Sequence, residues 1–432
     1  METYRATLIT ENTAMNSHPL APLRAQDIAR QIERGELSAT AALRLGDEAT
    51  AEREADLNIY SHRNPDTEPD KGPLAGIAVG VKDIFDTADA LTCYGSPIYE
   101  DHVPAADAAL VSMLRRAGGT IAGKTVTTEF AWFTPGATRN PHNHNHTPGG
   151  SSSGSAAGVA AGFFPAAIGS QTGGSVIRPA SFCGVSGYKP SFRLFPTVGM
   201  KHFSWSLDTP GFFAATAADC AFVASAMSGR DLYVSGTDET PPRFGLLAST
   251  IDDLMSVDMR EAVNHAAKRA KAWGAPVTNI EEPTAVAAAH AAHTPIQEFE
   301  ARHALAFEAM NHRDLLSGPL RDYLDNCETV TPDAYDDARR IANRARKASR
   351  DLFDKCDVLI APSSTGAAPE GLGFTGDSSF NRLWTLLGMP CVNVAGLADG
   401  TGLPLGIQII APFGQDAKAL QAAHWLESRL AR

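Results

Sequence analysis

The sequence predicts an α/β protein with helices on both faces of a sheet, and two observations carry that prediction. Short apolar runs of strand length recur, among them GIAVGVKD (76–83), TIAGKT (120–125) and DVLIAP (357–362). Between such runs lie longer segments whose apolar residues follow helical spacing, as in Leu110, Met113, Leu114 and Ala117 at i, i+3, i+4 and i+7. Strands that alternate with helices in this way build a sheet buried between helical layers.

Residues 1–20 show no periodicity and read as a loose leader, and one domain is expected over 21–432. From Pro22 to Asn58 the pattern is helical and charged, with QDIARQIERGEL stopping at a glycine, as helices often do. GIAVGVKD is the first strand, the Leu110–Ala117 helix closes on Gly118-Gly119, and TIAGKT is the next strand. In the second half RFGLLAS is a strand, Asp258 to Trp273 a helix closed by Gly274, and DVLIAP a buried strand. FNRLWTLLG reads as a helix, CVNVAG and LPLGIQII as paired strands, and Asp416 to Leu430 as a final helix. SGRDLYVSGTDETPPR and SSTGAAPEGLGFTGDSSF are loops, and the second of these (363–380) reads either as a loop that closes over a pocket or as a plain surface loop.

Composition narrows the function classes. A formal charge of -12 leaves no basic excess for neutralising phosphates, which speaks against a nucleic-acid partner. The densest basic run, RRIANRARKASR (339–350), follows Thr331-Pro332-Asp333 and reads as the solvated face of a helix. Six cysteines without a C-x-x-C pair read as reduced, mostly buried thiols. The first residues lack the apolar core of a secretion signal, and 156–168 is too short to span a bilayer, so a cytoplasmic protein without membrane contact is expected.

Chemistry concentrates in TPGGSSSGSAAGVAAGFFPAAIGSQTGGSVIR (147–178). Gly173-Gly174-Ser175 falls where a strand ends and a helix begins. Glycines there permit positive φ and close approach, and consecutive N–H groups pointing into one space can hold the oxyanion of an attacked carbonyl. Thr172, Gly173, Gly174 and Ser175 are the candidate oxyanion hole; the plain alternative for Ser175 is a helix cap. Gly149-Gly150-Ser151 resembles a flexible linker, yet it runs into AAGVAAG, whose small side chains suit a helix packed tightly on the core. Lys82 ends an apolar strand, where burial favours its neutral amine and equips it to take a proton. Its plain alternative is a lysine paired with Asp83. Together these residues suggest a serine nucleophile with a proton relay.

The pattern resembles the amidase signature family, serine hydrolases that cut carbon–nitrogen amide bonds with a Ser–cis-Ser–Lys triad. The motifs are GIAVGVKDIFDT, GKTVTTEFAW, RNPHNHNHTPGGSSSGSAAGVAAG, the nucleophile segment, CGVSGYKPS, DVLIAP and LPLGIQIIAP, in that order over roughly residues 22–430. The resemblance implies a single domain built on a large twisted mixed sheet surrounded by helices, and no cofactor. It makes Ser175 the nucleophile, Ser151 the bridging serine after a cis peptide, and Lys82 the base, with the family's 24-residue serine spacing kept. Expected partners are a small-molecule amide and water, without nucleic acid or membrane, and a homodimer stays open.

Departures from the family bear on the substrate. Gln171 stands where many members have Asp, and Arg178 lies three residues after Ser175 rather than two. QTGGSVIRPA looks like the malonamidase branch, which acts on small amides bearing a carboxylate. Arg178, Gly149, Gln171 and Phe133 are the expected substrate contacts, with Phe130 and Trp132 as further pocket wall. The alternatives are a broad-specificity aryl or aliphatic amidase that also cleaves esters or carbamates, and the amidase subunit of a tRNA-dependent amidotransferase. Gln171 and the shifted Arg178 favour a stand-alone enzyme over the latter. A metal module built on His142, His144 and His146 competes from outside the family, against a surface-loop reading of the same residues.

Overall fold

Among the described residues eleven strands form the frame: β1 (Tyr60–Arg63), β2 (Ala78–Lys82), β3 (Thr120–Thr125), β4 (Ala166–Gln171), β5 (Ser186–Lys189), β6 (Thr209–Ala214), β7 (Phe244–Ala248), β8 (Val277–Glu281), β9 (Val358–Pro362), β10 (Cys391–Ala398) and β11 (Pro404–Ile410). The computed structural model describes residues 20–63, 68–234, 236 and 240–430, so the expected leader lies outside the described residues except for its last position. All eleven strands join one mixed sheet in the order β1-β3-β2-β4-β6-β5-β10-β11-β9-β7-β8. Helices surround it, which matches the α/β expectation.

The expected strands and helices that carried clean periodicity are present. The helix of 110–117 runs Ala109–Arg116 and gives way to Gly118 at φ +85°, a conformation that costs glycine nothing. The basic run lies on Pro332–Ala348 up to its last two residues, which begin the 3₁₀ turn Ser349–Phe353, and the first turn of the helix is capped by the Thr331 hydroxyl. There Arg339 and Arg340 pair with Asp336 and Asp337, as expected of a solvated face. All six cysteines are free and five are buried. No helix among the described residues is long and apolar enough to cross a membrane.

The sheet topology places the candidate residues. β2 runs parallel to β4, with Val79, Gly80 and Val81 opposite Ala166, Ala167 and Ile168. Lys82 ends β2 and Gln171 ends β4, so the turns that follow emerge on the same edge of the sheet. Crevices beyond the carboxyl ends of parallel strands are where α/β sheets collect their ligands. The helix Ser153–Ala160 leads back into β4, which brings its leading turn, with Ser151, to that edge as well. Every residue of this helix is buried. A Cβ on Gly154 would lie 2.4 Å from the Ile59 carbonyl oxygen, and one on Gly158 would lie 2.3 Å from the Phe164 ring. The small residues are therefore a packing requirement, and 149–155 is no linker.

Candidate active site

Lys82 is fully buried, and its Nζ lies 2.7 Å from Ser151 Oγ. The same nitrogen is 2.8 Å from Ser170 Oγ and 3.5 Å from the Ser170 carbonyl oxygen. Burial pushes its pKa down to about 7, and the Asp208 carboxylate pulls it back up in part. The alternative pairing with Asp83 is not formed. Asp83 instead contacts Lys124 at 3.0 Å and accepts from the Cys93 N–H.

The peptide between Gly150 and Ser151 is cis. Gly149 takes φ +80°, while Gly150 is required by crowding, since a Cβ there would meet Thr375 Cγ2 at 2.8 Å. The Ser151 carbonyl accepts from the Thr128 N–H, which fixes the turn against the segment after β3.

Ser151, Thr172, Gly173, Gly174 and Ser175 line one narrow cavity. Trp132, Phe133, Phe203, Gln297, Arg178 and Ser378 complete most of the wall. The expected positive φ at Gly173 and Gly174 is not found. Gly174 is needed for close approach instead, because a Cβ there would sit 2.4 Å from Asn381 Oδ1.

Of the expected substrate contacts, Arg178 and Phe133 line the cavity. Phe130 is wholly buried in the core, although its neighbour Trp132 reaches the cavity. Gly149 and Gln171 are not in the cavity wall. Gln171 is a brace: its Oε1 accepts from the N–H groups of Val176 and Ile177, and its Nε2 donates to Thr385 Oγ1. With both ends of its amide engaged, it holds the turn that carries Ser175.

Arg178 is 2% exposed, and its Nη2 donates to the Gly150 carbonyl at 2.6 Å and to Thr375 Oγ1 at 3.2 Å. Nε and Nη1 have no hydrogen-bond partner among the described residues. The guanidinium lies 5.8 Å from the centre of the Phe133 ring. Burial and the neighbouring Arg382 push its pKa down to about 9, against the pull of Asp377. A buried cation without a facing carboxylate is costly, and an anion in the cavity would offset that cost.

Sequence reasoning passed over several residues that this site uses. Ser170 sits in a small-residue strand, where a serine carries no distinguishing pattern. Asp208 accepts from Thr172 Oγ1 at 2.5 Å, from the Phe203 and Ser204 N–H groups, and from His202 Nδ1; an acid between apolar runs was the available signal. His293 reaches the Thr172 carbonyl from 121 residues away. The histidine loop is tied down by its rings: His142 Nε2 contacts the Cys183 carbonyl, and His146 Nδ1 the Ala368 carbonyl. Among the described residues no group of three metal-ligating side chains converges.

Comparison with known proteins fits this geometry. A family model described as Amidase matches residues 42–420. The chain is 32% identical to a glutamyl-tRNA(Gln) amidotransferase subunit from Azoarcus sp. (strain BH72), over 82% of this chain and 84% of that one. A solved amidase superposes with TM-score 0.85 at 26% identity, covering 94% of this chain and 100% of the other. The peptide amidase PAM, solved with the competitive inhibitor chymostatin, gives TM-score 0.78 at 27% identity, covering 94% and 97%. A model match across most of the chain, relatives of this identity and one shared sheet architecture agree: the chain belongs to the amidase family, hydrolases that act on carbon–nitrogen bonds.

Proposed function

We propose that the protein is an amidase that uses Ser175 as nucleophile, Ser151 as proton bridge and Lys82 as base, on small amides that carry a carboxylate. The observation that carries the catalytic part is the contact between a wholly buried Lys82 and Ser151 Oγ, 2.7 Å away. A neutral amine there can accept the Ser151 proton while donating its own N–H bonds to Ser170.

In acylation Ser175 Oγ attacks the amide carbon, its proton passes to Ser151, and the Ser151 proton passes to Lys82. The carbonyl becomes an oxyanion facing the Thr172–Ser175 backbone. Collapse breaks the C–N bond, and the proton returns from Lys82 through Ser151 to the departing nitrogen. Water then attacks the ester on Ser175 by the same relay, releasing the acid and restoring the serine. Ser170→Ala removes one acceptor from the lysine and is expected to lower kcat about tenfold. Its activity midpoint should move to lower pH, since the charged amine loses a partner; a pH–rate profile unchanged in height and midpoint would remove Ser170 from the relay.

The substrate part rests on Arg178, whose Nε and Nη1 are unmatched at the wall of the cavity that Ser175 lines. Arg178→Ala should raise KM for a short half-amide such as malonamate by tens-fold, and leave KM for a neutral amide of equal size nearly unchanged. A fall in kcat shared by both substrates measures the lost bond to the Gly150 carbonyl. Equal KM changes, or no turnover of carboxylated amides by the wild type, would leave a broad-specificity amidase with ester or carbamate side activity.

A second reading, the amidase subunit of a tRNA-dependent amidotransferase, is favoured by the 32% identity to such a subunit. Purification from the native host discriminates: a stand-alone amidase purifies alone and hydrolyses free amides, whereas an amidotransferase subunit brings partner subunits and needs charged tRNA.

A further inference from the structure

We propose that His293 and Thr385 are positioning residues that aim the oxyanion-hole N–H groups of Gly173 and Gly174 into the cavity. The inference rests on the hydrolytic role given to the Thr172–Ser175 turn.

In a planar trans peptide the carbonyl of one residue and the N–H of the next point in opposite directions. Anchoring a carbonyl therefore fixes the direction of the following N–H. His293 Nε2 lies 2.9 Å from the Thr172 carbonyl oxygen, which turns the Gly173 N–H the other way. Thr385 Oγ1 lies 2.9 Å from the Gly173 carbonyl and 3.2 Å from the Asn381 carbonyl of its own helix; donation to the nearer does the same for the Gly174 N–H. Among the described residues no backbone hydrogen bond occupies either N–H. Two adjacent donors are thus held free toward the cavity that Ser175 lines.

Each anchor is itself held. Thr385 accepts from Gln171 Nε2, whose Oε1 takes the Val176 and Ile177 N–H groups at the far side of the same turn. The Thr172 hydroxyl donates to Asp208, so this residue is gripped at its side chain and its carbonyl by two different chain segments. His293 opens the helix His293–Ala304, and the same face carries Gln297 into the cavity wall. One turn further, Glu300 accepts from Ser204 and Ser206, in the loop that leads to Asp208. The contact requires a proton on Nε2, which in the neutral ring is the Nε2–H tautomer. Burial supplies that neutrality by pushing the His293 pKa down to about 4, with Arg382 adding to the effect.

The donors act on the oxyanion and not on the bound amide, so their misalignment should appear in kcat and spare KM. His293→Ala is expected to lower kcat for an amide roughly 10²-fold, with KM within about threefold of wild type. Affinity for a boronic acid, which forms a tetrahedral adduct on a serine, should fall in parallel with kcat. His293→Gln, which returns an N–H donor at similar reach, should recover much of the loss, and Thr385→Val should reproduce the kcat defect without touching the helix. Should His293→Ala fold poorly, Thr385→Val carries the test alone. The proposal is overturned if folded His293→Ala or Thr385→Val keeps wild-type kcat, or if KM rises while boronic acid affinity holds. The hydrolytic role itself is read separately, from the loss of turnover in Ser175→Ala.

Discussion

Ser175→Ala should abolish amide hydrolysis, with kcat reduced by about 10⁴-fold or more, because no other group at the cavity takes over attack on the carbonyl. The substitution removes one oxygen from a side chain that lines the cavity, so thermal unfolding should stay close to wild type. A fluorophosphonate should label the wild type at Ser175 and leave the variant unlabelled. Retained turnover in the folded variant would remove Ser175 from the chemistry.

Replacing Lys82 by Met has the second largest expected effect. The variant keeps the volume of a wholly buried side chain and removes the amine beside Ser151. Amide turnover should fall by about 10³-fold or more, and ester turnover by much less, since an alkoxide departs with less need of a proton. The pH dependence follows from the depressed Lys82 pKa of about 7. Below that pH the amine is protonated and cannot accept, so wild-type activity should climb as pH rises through 7. Stability runs in the same direction. Between about 7 and the ordinary lysine value of 10.5, the unfolded chain holds a proton on this group that the folded chain lacks. Folding is therefore increasingly favoured as pH rises across that window, and Lys82→Met should flatten this slope. Small and equal losses on amide and ester would make Lys82 a structural residue only.

The parts of this site that sequence displays are those whose reasons are local. Gly150 and Gly174 are glycines because Thr375 and Asn381 leave no room for a Cβ, and a serine directly after each is visible as a motif. Lys82 at the end of an apolar run signals burial without any knowledge of its neighbours. The same locality explains the fold: 110–117, 257–272 and 416–430 carry helical spacing within themselves, and β10 and β11 are long runs that read as strands. β5 and β6, by contrast, are SGYK and TPGFFA, with glycine and proline inside them, and only their places between β4 and β10 make them strands.

What stayed hidden depends on contacts across long stretches of chain. Gln171 looked like a substrate contact because it departs from a family pattern beside the nucleophile. Its oxygen takes the nearby Val176 and Ile177 N–H groups, but the partner of its nitrogen, Thr385, lies 214 residues away, and nothing in either segment announces the other. His293 is one histidine in an alanine-rich stretch, and its role appears only when its helix meets the turn after β4. Asp83 is the natural partner of Lys82 by adjacency in sequence, but Lys124, 41 residues away, takes the carboxylate instead.

The central claim is that hydrolysis proceeds through an acyl group on Ser175. Rapid-quench mass spectrometry tests it directly, using wild-type protein and the ethyl ester of a short carboxylated acid, followed by peptide mapping. The account predicts a transient adduct of one acyl group, confined to the peptide that carries Ser175 and absent from Ser175→Ala. Turnover with no adduct at any quench time, or an acyl group on Ser151, would contradict it.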